Sequence, residues 1–130
     1  NDPLFPFGFG LSYTNFSISP VRLSSDKLSS DTMVKAVVTV KNIGSRTGVE
    51  TVQLYIRDEF ANVARPVREL KGIKQVKLEP GREAEVEFEI DANMLRFYDI
   101  NMEYKAQPGS FTVWIGNSSK TQNSACFKLI

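Results

Sequence analysis

The chain has 130 residues, 42% of them apolar and 24% charged, with 16 Lys and Arg against 15 Asp and Glu for a net charge of +1. That is the composition of one globular domain, and its interleaved charges leave no basic footprint for nucleic acid or a membrane surface. Histidine is absent and Cys126 is the single cysteine, which removes Ser-His-Asp and Cys-His catalysis, the commonest neutral metal ligand and any internal disulfide.

No cofactor or metal site is expected, and Cys126 reads as a small buried apolar residue. No apolar run reaches the ~20 residues of a membrane span, and no signal peptide is expected within these residues.

The first stretch, residues 3–16, reads PLFPFGFGLSYTNF and holds Phe5, Phe7, Phe9, Tyr13 and Phe16 among two prolines and two glycines. A chain start is ordinarily polar and frayed. This one is apolar, proline-stiffened and without a period, so it needs a surface to lie on. Residues 1–15 are read as an interdomain-boundary segment packing on the sandwich, with Phe5, Phe7 and Phe9 turned to a neighbour, and residues 16–130 as the domain proper. Gly8-Phe-Gly10 lacks the third glycine and the preceding strand of a dinucleotide loop.

Residues 16–23 alternate but change phase at Pro20, the mark of a bulged edge strand that crosses between sheets. Residues 24–31, rich in Ser and Asp, read as a loop. Val34, Ala36, Val38 and Val40, then Val52, Leu54 and Ile56, alternate with polar residues in two strands that form the central pair of the sandwich. Residues 58–67 lack a period, and Pro66 argues against a central strand there. Leu70 to Leu78 resumes with a bend near Gly72, and Glu79-Pro-Gly-Arg82 has type II turn chemistry. Ala84, Val86, Phe88 and Ile90 then alternate with four glutamates. Asp91 is placed to cap one helical turn over residues 91–95. Met102, Tyr104 and Ala106 make a short strand, Gln107-Pro-Gly-Ser110 a tight hairpin into Phe111, Val113 and Ile115, and residues 125–130 the closing strand. The sum is an all-β antiparallel sandwich of immunoglobulin or fibronectin type III-like form, with seven to eight strands.

Few residues offer chemistry. Glu83, Glu85, Glu87 and Glu89 share one face of one strand at ~7 Å spacing, where common solvation leaves nothing to separate an acid from a base. Asp58 and Glu59 are adjacent at a strand end and are expected to point apart. Trp114 has the parity opposite to Phe111, Val113 and Ile115, so it faces away from the core. Three readings stay open for it: cover by the N-terminal segment, an interdomain contact, or stacking on a sugar ring. Tyr55, also outward, is read as a cross-strand packing partner. Asn15 and Asn117 begin Asn-x-Ser sequons, which matter only in a eukaryotic secretory protein.

Four ordered motifs add a resemblance. Pro6-Phe-Gly-Phe-Gly-Leu-Ser-Tyr-Thr14 resembles the P-F-G-[YF]-G-L-S-Y-T signature at the C-terminal domain boundary of glycoside hydrolase family 3. Gly48-Val-Glu-Thr-Val-Gln-Leu-Tyr-Ile56, Arg65-Pro-Val-Arg-Glu-Leu-Lys-Gly72 and Leu78-Glu-Pro-Gly81 match that domain in order, and Gln107-Pro-Gly-Ser-Phe resembles its closing hairpin. Ile73 departs from the usual aromatic, and Phe9 from the commoner Tyr. The resemblance implies the C-terminal fibronectin type III-like domain of a β-glucosidase whose nucleophile and acid/base lie in other domains. No catalytic residue carries over, and this stretch alone is not expected to be an enzyme. The parent would cleave terminal β-glycosidic bonds with retention and would be periplasmic or secreted, from a bacterium. The implied partners are the catalytic domains of the same polypeptide, with glycans or a second copy left open and neither nucleic acid nor membrane expected. Phe5, Phe7, Phe9, Tyr55, Arg65 and Trp114 are the candidate interdomain or sugar contacts, and whether the loop carrying Arg65-Pro66 reaches the parent's active site is left open by the sequence.

Overall fold

Strict alternation of apolar residues builds the long strands, because a period of two puts every second side chain on one face. In a computed structural model, which describes residues 15–60, 63–64 and 67–130, the long strands are β4 (Met33–Asn42), β5 (Gly48–Asp58), β6 (Glu69–Leu78), β7 (Glu83–Asp91), β10 (Gly109–Gly116) and β11 (Ser124–Leu129). Shorter pieces are β1 (Phe16–Ile18), β2 (Arg22–Leu23), β3 (Lys27–Leu28), β8 (Phe97–Tyr98) and β9 (Tyr104–Lys105).

They form two facing sheets and a small ribbon. One sheet has β4 at its centre, with β7 on one side and β1 and β2 on the other; the second runs β3-β11-β10-β5-β6; β8 and β9 pair alone. The expected sandwich is therefore present. The core is made of the inward sets Val34, Ala36, Val38, Val40 and Val86, Phe88, Ile90 from one sheet, against Val52, Leu54, Ile56 and Phe111, Val113, Ile115 from the other. The rings of Phe111 and Phe127 stack at 5.8 Å between them.

β1 and β2 are two pieces of one edge strand. Between them Ser19 replaces part of the ladder: its hydroxyl accepts from the Thr39 N–H at 2.7 Å, while its N–H donates to the Thr39 carbonyl at 2.9 Å. Pro20, which has no N–H to contribute, sits in the gap. The interruption at Pro20 was expected, but the crossing falls later. The chain changes sheets after Leu23, and Lys27–Leu28 pairs parallel to β11. Part of the stretch read as a loop is thus a strand, with Leu28 fully buried.

Three other expectations are corrected. β4 and β5 are not a central pair: β4 is central in its sheet, whereas β5 lies in the other between β10 and β6, and residues 43–47 carry the chain across. The Gln107-Pro-Gly-Ser110 turn does not close a hairpin onto β10, because residues 104–105 pair with β8 while β10 takes β5 and β11 as neighbours. Cys126 is exposed, because Phe127 and Leu129 face the core and the alternation turns Cys126 outward.

Local signals elsewhere hold. Arg82 N–H closes on the Glu79 carbonyl at 3.0 Å with Gly81 at φ 80°, as a type II turn requires. Asp91 caps a 3₁₀ turn, Ala92–Leu95, by accepting from the Met94 N–H at 3.1 Å. The bend near Gly72 is a bulge: Leu54 pairs with Gly72 and Tyr55 with Leu70, leaving Lys71 as the extra residue. A Cβ on Gly72 would stand 2.9 Å from the Phe88 ring, so the core itself demands glycine there.

Asn42, at the end of β4, ties the two sheets together. Its amide Nδ2 donates to the carbonyls of Arg46 at 2.8 Å and Leu78 at 2.9 Å, and its Oδ1 accepts from the Gly44 N–H at 2.9 Å. Its backbone joins the 79–82 turn through Asn42 N–H to Arg82 O and Gly81 N–H to Asn42 O, both 2.9 Å. The side chain is fully buried, so truncation leaves buried polar groups without partners. Asn42→Ala is expected to destabilise this chain by roughly 2–4 kcal/mol. Asn42→Asp should do no better, since it sets a carboxylate against two carbonyl oxygens. Urea unfolding of the three proteins checks both.

Candidate interaction surface

Trp114 lies on the outer face of the five-stranded sheet, opposite Tyr55 on β5 and Ser124 on β11. It is nevertheless only 5% exposed. Two guanidinium groups cover it, Arg68 at 4.1 Å and Arg57 at 4.9 Å from the ring centroid. Arg68 is fixed by donating to the Thr121 carbonyl at 2.6 Å, and Arg57 by Glu59 at 2.8 Å. Thr121 itself folds onto Gly116, where an added Cβ would meet the Thr121 Cβ at 2.4 Å. A cation held over a Trp face is worth about 0.5–2 kcal/mol, more as water is excluded. A sugar ring could stack on Trp114 only by displacing Arg68.

Among the described residues the cover over Trp114 is made by Arg57 and Arg68; the N-terminal segment named as its cover lies, up to residue 14, outside them. The outward parity of Trp114 signalled its place. Nothing in the local sequence signalled Arg68, which arrives from the segment before β6. Tyr55 pairs across strands with both Trp114 and Leu70, and its hydroxyl donates to Gln53 Oε1 at 2.8 Å. Phe5, Phe7, Phe9 and Arg65 lie outside the described residues.

Carboxylates are the other candidates. The four glutamates of β7 sit on the outer face of the other sheet, where Arg22 meets Glu85 at 3.4 Å and Lys35 meets Glu87 at 3.7 Å. Asp58 and Glu59 point apart as expected. Asp58 turns inward and accepts from the Phe60 N–H at 2.8 Å, whereas Glu59 faces out and accepts from Arg57 and from the Thr112 hydroxyl, each at 2.8 Å.

Burial pushes the carboxyls of Glu50 and Asp58 upward, in each case against the pull of hydrogen bonds they accept. They lie at opposite ends of β5, about 26 Å apart at 3.3 Å per residue, against the ~5 Å of a retaining glycosidase pair. Asp99, missed by sequence reasoning, is held below the usual carboxylate range. The causes are the Glu103 N–H first, then the Asn101 N–H and the Lys105 ammonium, working against burial. Asp58 and Asp99 therefore have pKa values pushed in opposite directions at one end of the sandwich. The space between the described residues around them does not admit a water molecule. Val63 bridges to Asp99, and the Ala64 N–H donates to the Tyr98 carbonyl at 2.8 Å, which seats residues 63–64 on the β8–β9 ribbon.

Among the described residues no three or more Cys, Asp and Glu gather as a metal site, and no helix is long and apolar enough to cross a membrane.

This architecture has known counterparts. Residues 50–119 match the family described as the fibronectin type III-like domain. The chain belongs to that family. It is 44% identical over all 130 of its residues to the periplasmic beta-glucosidase of Salmonella typhimurium, of which it spans 17%. It is 39% identical over 121 residues to a beta-xylosidase of Formosa agariphila, covering 93% of this chain and 17% of that protein. Among solved structures, the GH3 beta-glucosidase of Bifidobacterium adolescentis superposes on 96% of the chain with a TM-score of 0.78 and 35% identity, over 18% of its own length. In each of these relatives the matching stretch is a small part of a much longer polypeptide.

The two aspartates carry a pH signature. Asp99 is depressed when folded, so its stabilisation is present above the unfolded value of about 3.9 and is lost as the pH falls through its lower folded value. Asp99→Asn should therefore be less stable than the wild type at pH 7, with the gap closing below about pH 4. Asp58 is raised, so it weakens the fold at neutral pH and ceases to do so on acidification. Asp58→Asn, which keeps the acceptor for the Phe60 N–H, should be neutral or stabilising at pH 7. Urea midpoints of both variants across pH decide.

Proposed function

We propose that this chain is a non-catalytic accessory domain of an exported β-glucosidase-like glycoside hydrolase, where it stabilises or orients the catalytic domains. One observation carries the reading: all 130 residues align with a single periplasmic beta-glucosidase, yet they amount to 17% of it. A self-contained sandwich that is a sixth of such an enzyme is a module of it, and the hydrolytic machinery belongs in the remainder. By the same reading the parent acts on terminal β-glycosidic bonds with retention, through two carboxylates of its other domains. The glycone is set there too, which agrees with similar domains in both a beta-glucosidase and a beta-xylosidase. The described surface favours this reading over a carbohydrate-binding one, since the Trp114 ring is covered by Arg68.

Deleting this domain from the longer polypeptide is expected to lower its melting temperature and soluble yield. Unchanged melting and unchanged hydrolysis in the truncated protein would sink the proposal. The 130-residue chain alone should turn over no aryl β-glucoside, a result that release of the aryl group by a purified sample reads directly.

A further inference from the structure

At the end of the sandwich opposite Asn42, the β8–β9 ribbon closes in a turn of unusual chemistry. Phe97 pairs with Lys105 and Tyr98 with Tyr104, and the Asp99 N–H donates to the Glu103 carbonyl at 3.0 Å. The loop is therefore three residues, Ile100-Asn101-Met102. Hairpin loops of this length end on a residue in left-handed backbone, where glycine is the usual choice. Here that residue is Met102, at φ 62°, the sole non-glycine with positive φ among the described residues. Any side chain with a Cβ is disfavoured there, so retention of a long apolar one at such a position points to a use for it.

Asp99 makes the turn rigid. Its Oδ1 accepts from the N–H groups of Asn101 at 2.8 Å and Glu103 at 3.0 Å, and the Met102 N–H donates to the Asp99 carbonyl at 2.9 Å. What the turn displays is apolar: Ile100 is 65% and Met102 69% exposed. Beneath them the Tyr98 and Tyr104 rings pack at 4.9 Å, themselves about half exposed. The Arg96 guanidinium lies 5.0 Å from the Tyr104 centroid, bonded to the Tyr104 carbonyl and to Asn93 Oδ1, and meets no carboxylate among the described residues.

We propose that this hairpin is a docking knob for another domain of the same polypeptide, whose receiving surface is an apolar pocket with a carboxylate placed to meet Arg96. The inference rests on the accessory-domain reading above. Four exposed apolar side chains on one braced projection form the kind of patch that marks an interface, and an unneutralised guanidinium at its base selects an acidic rim. The occupant follows from the length of the relatives. A domain that is 17% of its polypeptide has the other domains tethered beside it, and a tethered partner competes at a high effective concentration against any separate molecule.

Two measurements test it. Ile100→Cys in a Cys126→Ser background is labelled with a maleimide, in this chain alone and in the longer polypeptide. The thiol should react freely in the first and at least about tenfold more slowly in the second, at every protein concentration. Equal rates overturn the proposal, and protection that grows with concentration overturns it in favour of a second copy. Met102→Gly relieves the backbone, so it should leave the melting temperature of this chain unchanged or raised while lowering that of the longer polypeptide. A parallel change in both proteins would assign Met102 to the stability of its own domain and overturn the docking role. If deletion of the whole domain is destabilising while the Ile100→Cys thiol labels freely, the accessory reading stands and the knob alone falls.

Discussion

A sandwich without disulfides holds its two sheets together by burial, except where polar groups bridge them; Asn123 to the Ser19 carbonyl and Lys74 to the Glu87 carbonyl do so nearer the surface, and the fully buried bridge among the described residues is Asn42. Its Nδ2 reaches from the end of β4 in one sheet to the Leu78 carbonyl at the end of β6 in the other. The same amide closes the 43–47 crossing through Arg46 O and Gly44 N–H. Hydrophobic burial is non-directional; it would accept the sheets at many offsets. A buried amide with three satisfied bonds accepts only one. Register between β4 and β6 at this end is thus fixed by one side chain, with the Asn42 backbone joining the turn into β7, and the alternation along each strand transmits that register to the core.

The long strands were legible because their pattern is a direct projection of burial. Val34 to Val40, Val52 to Ile56 and Ala84 to Ile90 alternate strictly, and each set lies inward. Capping and turn signals at Asp91 and at Pro80-Gly81 were legible for the same reason, since their chemistry is contained within four residues. Pairings were less so. Lys27–Leu28 joins β11 across a hundred residues, and two residues carry no period. The Gln107-Pro-Gly-Ser110 turn chemistry is real, but it names no partner for the strand that follows. Cys126 shows a different failure: its residue type implied burial, while the parity of Phe127 and Leu129 already implied exposure. Where type and parity disagree in a strand, geometry wins.

The candidate sites were less legible than the fold, for a physical reason. Sequence parity states which way Trp114 points, but among the described residues its cover comes from Arg57, on a neighbouring strand, and Arg68, from an irregular segment. Cover of that kind is a tertiary fact with no local trace. Asp99 was invisible for the complementary reason. Its environment is local, but a turn written Asp-Ile-Asn-Met-Glu lacks the glycine by which hairpins are ordinarily recognised. The functional reading rested on motifs shared with a family, and those that fall on described residues, such as 48–56 and 78–81, lie on strands and a turn of the sandwich rather than on residues that perform chemistry.

Asn42 and Asp99 apply one device to opposite ends of the molecule. Each uses a short polar side chain to accept from backbone N–H groups two to four residues on, Gly44 for Asn42 and Asn101 and Glu103 for Asp99. Asn42 extends its remaining bonds across to the other sheet, so the energy goes into sandwich registry. The shorter contacts of Asp99 stay within its own hairpin, to Asn101, Glu103 and Lys105, with only a 3.5 Å approach from Gln107 outside it. Bonds of that kind shape the turn without adding much to the core. A turn stiffened in this way, with methionine at the position that favours glycine, lowers the entropy lost when its exposed side chains meet a partner. The stability given up at Met102 and the rigidity gained at Asp99 therefore act on the same object, an apolar projection preformed for the contact proposed for it.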